Sequence, residues 1–161
     1  MTKSPVPPRE LPVRTHVVCA YVYRKAGKDI RFLVMKRKSP YMYGLWAQVA
    51  GKVEQGESAI VAILREIKEE TGLVPHSLYS TDFAETFYDF AHDCIHIVPV
   101  FAAEVSAKDR VVLSDEHSEY KWVSSIQAKR LVSFFQQKNS IDIIEKEFAR
   151  NKPPEELLIK L

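Results

Sequence analysis

Acidic side chains are concentrated in one short stretch near the middle of the chain. Glu66, Glu69 and Glu70 follow Arg65 almost directly. At about 100° per residue, these three helix positions share one sector beside an apolar stripe, so the carboxylates would converge at the edge of a core. Carboxylate oxygens are the ligands that hard cations such as Mg²⁺ and Mn²⁺ prefer. Such ions neutralise phosphate charge and lower the pKa of a bound water, which is what phosphoryl transfer requires.

A helix that begins in a glycine-containing loop must position these carboxylates. Its buried stripe is predicted at Ile60, Ile63, Leu64, Ile67 and Thr71, with i, i+3, i+4, i+7 spacing. Gly51 and Gly56 bracket the preceding loop, where close backbone approach suits phosphates or a metal ion, so Gly51 is a candidate contact to either. Gly72 is predicted to end the helix. The alternative is that this charged run is only a solvated helix face; Glu66 and Glu70 would then be a destabilising like-charge pair.

The complete pattern from Gly51 to Leu73 decides between these alternatives. It reads Gly51, five residues, Glu57, seven residues, Arg65-Glu66, an apolar residue, one residue, Glu69-Glu70, one residue, Gly72 and an apolar residue. This pattern resembles the full signature of the Nudix hydrolase family, without a departure at any position.

The resemblance implies an α/β fold, an α/β/α sandwich in which a mixed β-sheet lies between helices. It implies hydrolysis of a nucleoside diphosphate linked to a further group, by attack of water on phosphorus. It also implies that Glu66, Glu69 and Glu70 bind Mg²⁺ or Mn²⁺, that Arg65 holds a carboxylate in place, and that Glu57 braces the loop against the helix.

Two flanking stretches are similar to the bacterial dihydroneopterin triphosphate pyrophosphohydrolases, also described as dATP pyrophosphohydrolases. Trp46 to Glu54 (WAQVAGKVE) resembles their approach to the signature, with Val49-Ala50-Gly51 in place of the more usual Pro-Gly-Gly. Asp115 to Trp122 resembles their Glu-His-x-x-Tyr-Lys-Trp segment. By this resemblance, Glu116 is a candidate general base or extra metal ligand, and Glu119 competes for that role.

The substrate is predicted to be a small-molecule triphosphate carrying a purine-like or pteridine ring. Candidate substrate contacts are Arg37, Lys38, Trp46, Gln48, Gly51, Lys52 and Tyr88, and Tyr41, Tyr43, Trp46 and Tyr88 are candidates for stacking on the ring. Two alternatives stay open: Arg37 and Lys38 as a solvated strand end, and Trp46 as a core residue.

Three other functions are alternatives to triphosphate hydrolysis. Members of the family that hydrolyse ADP-ribose tend to carry a proline where this chain has Phe87 and Tyr88. Tyr88 leaves diadenosine polyphosphate hydrolysis open as the second candidate. A non-catalytic nucleotide sensor would be expected to have lost a metal-binding glutamate, and all three are present.

Strand patterns are predicted on both sides of this helix, and helices near the end of the chain. The strands are expected at residues 15–23, 30–36, 45–50, 78–90, 94–105 and 119–123, and the helices at 125–137 and 141–150. Residues 13–152 would form one domain, with a Pro-rich tail at 1–12 and a weakly specified tail at 153–161. Residues four apart on a strand are about 13 Å apart, so His92 and His96 are not expected to share a metal ion with Asp93 and Cys94.

The bulk composition is that of an ordinary globular domain. The chain has 161 residues, 46% hydrophobic and 27% charged, with a net charge of +2. This charge predicts no nucleic-acid-binding surface. Cys19 and Cys94 are expected to be buried free thiols. No apolar run suggests a membrane span or signal peptide, so a cytoplasmic location is expected. The protein is expected to be a monomer or a homodimer.

Overall fold

The structure, a computed structural model, describes residues 8–161. The first seven residues of the predicted tail lie outside the described residues, and residues 8–12 are exposed and without regular structure. The elements in chain order are β1 (Val13–Arg14), β2 (Val17–Ala26), β3 (Asp29–Arg37), β4 (Trp46–Ala47), β5 (Val49–Lys52), α1 (Ala59–Thr71), β6 (Ser77–Asp89), β7 (Cys94–Val105), β8 (His117–Val123), α2 (Ser125–Leu131), α3 (Phe135–Ile144) and β9 (Leu158–Ile159). No helix in residues 8–161 is long and apolar enough to span a membrane.

The nine strands within residues 8–161 all belong to one mixed sheet. Its main path is β4-β3-β2-β7-β6-β9, with β1 paired to β7, β5 to β2 and β8 to β3. The β2–β7 and β1–β7 pairs are parallel and the others are antiparallel. The β6–β7 hairpin therefore brings residues 89–94 to the end of the sheet at which β2 begins.

The central strand β2 is buried on both faces, as its continuous apolar sequence predicts. Its alternate residues belong to two cores: Cys19, Tyr21 and Tyr23 face one, and Val18 and Val22 face the other. The first core is covered by α2 and α3, and the second by α1. The fold is thus the predicted α/β/α sandwich with a mixed sheet.

Helix α1 forms where the spacing predicts it. The Ser58 side chain accepts a hydrogen bond from the Val61 amide at its start, and Gly72 ends it in the left-handed conformation, with φ at 71°. Ile63 and Ile67 are fully buried against the sheet, but Ile60, expected in the buried stripe, is 38% exposed. Ile60 lies in the first turn of α1, a few residues after the exposed loop residues 54–56, so it is at the rim of the core.

Three predicted segments have different boundaries in the structure. The expected strand at 45–50 is two short strands, because residues 46–47 pair with β3 whereas residues 49–52 pair with β2. The expected helix at 125–137 ends at Leu131, since Val132 forms an isolated parallel bridge with Trp46; α3 then starts at Phe135 and runs into a π-helical segment at Glu145–Arg150. The expected C-terminal tail carries β9, whose Leu158 and Ile159 pair with β6.

Candidate active site

The centre of the candidate site is the contact between α1 and β5. Glu66 and Glu70 lie one turn apart on the side of α1 that faces Gly51. A side-chain carbon built on Gly51 would overlap the Glu66 carboxylate, so only glycine allows this approach. Glu70 is 4% exposed and its Oε2 atom has no hydrogen-bond partner among the described residues. A buried, unpartnered carboxylate oxygen is costly unless a proton or a cation satisfies it.

Burial and neighbouring charges make these carboxyl groups weak acids in the metal-free protein. The pKa of Glu70 is raised to about 9, chiefly by burial, then by the charges of Glu66 and Glu116; Arg37 partly opposes the rise. Burial also raises the pKa of Glu66, although the Arg65 guanidinium acts in the other direction. The site therefore holds a proton at neutral pH that a bound cation would displace.

Arg65 ties the signature loop to the helix. Its Nε and Nη2 atoms donate to the two Glu57 oxygens at 2.8 and 3.0 Å, and Nη2 also donates to the Lys52 carbonyl at 2.9 Å. Its Nη1 atom donates to Glu66 Oε1 at 2.8 Å and to Glu69 Oε2 at 3.1 Å. The forked contact holds the pKa of Glu57 down at about 2. Arg65 thus links the loop before α1 to the helix through Glu57 and Lys52 on one side and Glu66 on the other.

A third carboxylate approaches from the loop before β8. The amide of Val112 donates to the Thr71 carbonyl at 2.8 Å, and the amide of Ser114 donates to the Glu70 carbonyl at 3.1 Å, so this loop is fastened to the end of α1. The Glu116 side chain is exposed, yet close enough that its charge raises the pKa values of both Glu66 and Glu70. Glu119 lies farther along β8, opposite Lys36, and forms an ion pair with Lys121 at 3.3 Å. Geometry therefore favours Glu116 over Glu119.

Arg37 lies on the same side of the site. Its Nη2 atom donates to Ser39 Oγ at 2.8 Å and its Nε atom to the Tyr41 carbonyl at 3.0 Å. Its charge acts on Glu70, as described above, and also lowers the pKa of His117. Arg37 is thus the cation best placed to contact a phosphate bound at these carboxylates.

The remaining predicted residues divide into those near this cluster and those away from it. The Glu69 side chain is 58% exposed and pairs with Arg65, so it lies on the outer edge. The Lys38 side chain is exposed, while its amide donates to the Glu116 carbonyl at 2.7 Å. Lys52 is exposed beside the site, with its carbonyl bonded to Arg65.

Three other predicted contacts lie elsewhere. Trp46 packs against the core on the α3 side, with Lys121 Nζ 4.7 Å from its ring centroid, which favours the core alternative. Gln48 is buried in the same region and its Oε1 atom accepts a hydrogen bond from Gln137. Tyr88 lies on the β6–β7 hairpin, where its hydroxyl donates to Asp93 at 3.0 Å.

Two groups of polar residues were missed by the sequence analysis. His117 is 5% exposed and neither ring nitrogen has a partner among the described residues; burial chiefly lowers its pKa. Its place directly after Glu116 was a usable signal. The second group lies under α3, where Glu85 accepts hydrogen bonds from Tyr21 and Ser140 at 2.6 and 2.7 Å. A glutamate at an inward-facing strand position was the signal there.

The sequence analysis assumed that His92 and His96 lie on one strand, and this assumption is wrong. His92 lies in the turn between β6 and β7, not on a strand. The turn folds it back, so that His92 Nδ1 and His96 Nε2 lie 2.7 and 3.4 Å from the same Asp89 oxygen.

The α1 cluster fits a hard divalent cation. It offers carboxylate oxygens from Glu66 and Glu70, with Glu116 nearby, and one buried oxygen otherwise lacks a partner among the described residues. Gly51 leaves room for the backbone to approach, and Arg65 orients Glu66 from behind.

Comparison with known proteins agrees with this geometry. Residues 13–142 match the NUDIX domain. The chain is 30% identical over 114 residues to an asymmetrical bis(5'-nucleosyl)-tetraphosphatase of Caenorhabditis elegans, covering 70% of this chain and 81% of that protein. It spans less than a third of three other curated relatives.

Solved structures show the same fold. A C. elegans Ap4A hydrolase complex superposes with a TM-score of 0.69 at 26% identity, covering 80% of this chain and 93% of that one. The Escherichia coli dihydroneopterin triphosphate pyrophosphohydrolase superposes with a TM-score of 0.66 at 23% identity, covering 83% and 96%. The chain belongs to the Nudix family. It is a pyrophosphohydrolase, and the hydrolases of this family generally use divalent metals such as Mg²⁺.

Proposed function

We propose that the chain hydrolyses a nucleoside or pterin triphosphate to a monophosphate and pyrophosphate, with Mg²⁺ or Mn²⁺ as cofactor. The observation that carries the proposal is the meeting of Glu66, Glu70 and Glu116 beside Arg37. When bound, the divalent ion would neutralise phosphate charge and lower the pKa of a bound water molecule. The triphosphate, rather than another polyphosphate, is supported by the likeness of the two flanking stretches to the dihydroneopterin triphosphate and dATP pyrophosphohydrolases.

The chain's own residues have separate roles in this proposal. Glu66 and Glu70 hold the cation, and Glu69 contributes from the outer edge. Glu116 is exposed and outside the Arg65 network, so it is placed to accept a proton from the attacking water. The Arg37 guanidinium binds phosphate oxygens.

In this proposal the substrate ring binds on the loop after β3. Tyr41 and Tyr43 are 64% and 73% exposed there, and the Arg37 guanidinium lies 5.8 Å from the Tyr41 ring centroid. A ring stacked on Tyr41 would therefore lie beside the residue that binds its phosphates. Trp46 is less suited, because it packs against the core.

Product analysis tests the proposal. Purified protein with Mg²⁺ would be incubated separately with dihydroneopterin triphosphate, dATP, ADP-ribose and diadenosine tetraphosphate, and the products separated by chromatography. We expect pyrophosphate and a monophosphate from the first two and little product from the others. Isotope-labelled water would show which phosphorus is attacked, since the label enters only one product. No turnover of any substrate, with the metal bound, would contradict catalysis and favour a nucleotide sensor.

Asymmetrical hydrolysis of diadenosine tetraphosphate is the second candidate. The observation that favours it is the 30% identity to a tetraphosphatase of which the chain covers 81%. Preferential release of ATP and AMP from this substrate would keep the metal site and reject the triphosphate. For either substrate, Glu116→Gln tests the proposed general base. Glu119→Gln is its matched control, because Glu119 is a nearby glutamate paired with Lys121.

A further inference from the structure

The β6–β7 hairpin carries a second cluster of metal-ligating side chains. Asp89 and Cys94 are directly opposite in the last pair of the ladder, and His96 follows Cys94 by two residues. On a strand, residues two apart point to the same face. One donor atom from each of the three side chains lies within 4.8 Å of the other two.

A second histidine, from the turn, contacts the Asp89 carboxylate. His92 Nδ1 lies 2.7 Å from Asp89 Oδ2, and His96 Nε2 lies 3.4 Å from the same oxygen. The donors that lie within 4.8 Å of one another are therefore one carboxylate, one thiol and one imidazole, and His92 is a neighbour of the carboxylate alone. The alternative is that the two histidines only form ion pairs with Asp89. Such pairs would not explain why a thiol lies beside them.

Neighbouring groups hold these donors in place. The Phe87 ring stacks on His96 with centroids 5.1 Å apart and an interplanar angle of 9°. The Ala91 amide donates to Asp89 Oδ1 at 3.1 Å, which leaves the other oxygen facing the histidines. Cys94 is fully buried, and the side chains of Asp89 and His96 are 18% and 11% exposed, so all three donors are shielded from water. Donors oriented by such contacts are typical of metal sites.

We propose that Asp89, Cys94 and His96 form a binding site for a borderline transition-metal ion of the Zn²⁺ class, with His92 as a neighbour that orients the Asp89 carboxylate. Thiolate and imidazole ligands select such ions, whereas the carboxylates of α1 suit Mg²⁺ or Mn²⁺. Tetrahedral ligands lie about 2.0–2.3 Å from zinc and therefore about 3–4 Å from one another, so the cluster must contract only slightly. Binding releases the Cys94 thiol proton to solvent, while His96 binds in its neutral form.

Cobalt substitution tests the site directly. The protein, freed of metal by chelation, would be titrated with Co²⁺ in excess Mg²⁺, so that the carboxylates of α1 are occupied. A thiolate ligand gives Co²⁺ a charge-transfer absorption in the near ultraviolet. We expect this band to saturate at one Co²⁺ per chain, and Zn²⁺ to abolish it. Absence of the band at stoichiometric Co²⁺ would overturn the proposal.

Single substitutions distinguish this cluster from the other thiol and from a histidine elsewhere in the chain. Cys94→Ala is expected to abolish the band, whereas Cys19→Ala, which removes the other buried thiol, is expected to keep it. A band lost only in Cys19→Ala would contradict the assignment. Should Cys94→Ala not fold, His96→Gln and Asp89→Asn serve instead. Each is expected to weaken Zn²⁺ binding at least about tenfold in competition with a chromophoric chelator, and unchanged binding in both would refute the site. His76→Gln, an exposed histidine outside the cluster, is the control.

Discussion

The substitution Glu70→Gln should make the metal-free protein more stable while removing its activity. Glu70 is buried, and its pKa is raised from an ordinary value of 4.5 to about 9. The folded state therefore holds a proton that the unfolded chain releases at lower pH. Stability must fall as pH rises through this interval, because the folded state binds more protons than the unfolded state. Glutamine keeps the shape of the side chain and removes the titration.

The size of the effect at pH 7 follows from this interval. Each pH unit above the pKa of the unfolded chain costs about 1.4 kcal/mol, so about 2.5 pH units cost about 3 kcal/mol. Glu70→Gln should recover up to about 3 kcal/mol at pH 7, which is a rise in Tm of roughly 6–12 °C for a chain of this size. Near pH 4.5, where Glu70 is protonated in the folded state and about half protonated in the unfolded chain, the difference should fall to about 0.4 kcal/mol.

Thermal unfolding with a chelator present, at several pH values between about 4.5 and 8, measures this difference. The matched control is Glu54→Gln, since Glu54 is an exposed glutamate on the nearby loop. Saturating Mg²⁺ should reverse the order of the two proteins, because the wild type gains binding energy that the variant lacks. An equal stability difference at pH 4.5 and pH 8, or no reversal with Mg²⁺, would refute the proposed burial and metal role of Glu70.

Four further substitutions test the site and the core. Gly51→Ala should weaken Mg²⁺ binding at least about tenfold by calorimetry, because the added carbon overlaps a signature carboxylate; unchanged affinity would contradict the close approach. Glu57→Gln should lower Tm at pH 7, and the deficit should shrink as pH falls from 4.5 towards about 2, where the wild-type carboxylate also becomes protonated; a deficit independent of pH would refute the ion pair. Ile67→Ala should cost about 2–5 kcal/mol in urea unfolding, because its side chain is fully buried; a cost under about 1 kcal/mol would place it outside the core. Glu116→Gln should lower kcat about 10²–10⁴-fold, while Glu119→Gln should change it little; the reverse order would exchange their roles.

Much of the fold could be predicted from local sequence pattern. The alternation of β2 between two cores follows from its unbroken apolar run, and α1 from its stripe and its glycine cap. Boundaries failed where long-range pairing competes with local pattern. The segment 45–50 is split because two different strands compete for it, and α2 ends at Leu131 because the next residue pairs with Trp46. These pairing partners are distant in sequence, so the periodicity of apolar residues within a segment cannot predict them.

Distance along the chain was also a poor guide at the β6–β7 hairpin. Four residues separate His92 from His96, and an extended strand would hold them about 13 Å apart. The turn instead brings His92 into contact with Asp89. The sequence analysis did not consider Asp89, because it precedes the segment from His92 to His96. Spacing along the chain can exclude contact with a common partner only when both residues lie in one regular element. Here His92 lies in the turn and His96 lies in β7.

The three signature glutamates differ in environment although helical spacing makes them equivalent. Glu69 is exposed, Glu66 is half-buried and Glu70 is buried, and this order is set by elements outside the helix. Gly51 of β5 closes over Glu66, and the loop before β8 is bonded to the backbone of α1 at Glu70. The site therefore depends on the sheet and this loop as much as on the signature. A signature grafted onto an isolated helix would keep the three carboxylates but lose the raised pKa of Glu70, and with it the coupling between proton release and metal binding.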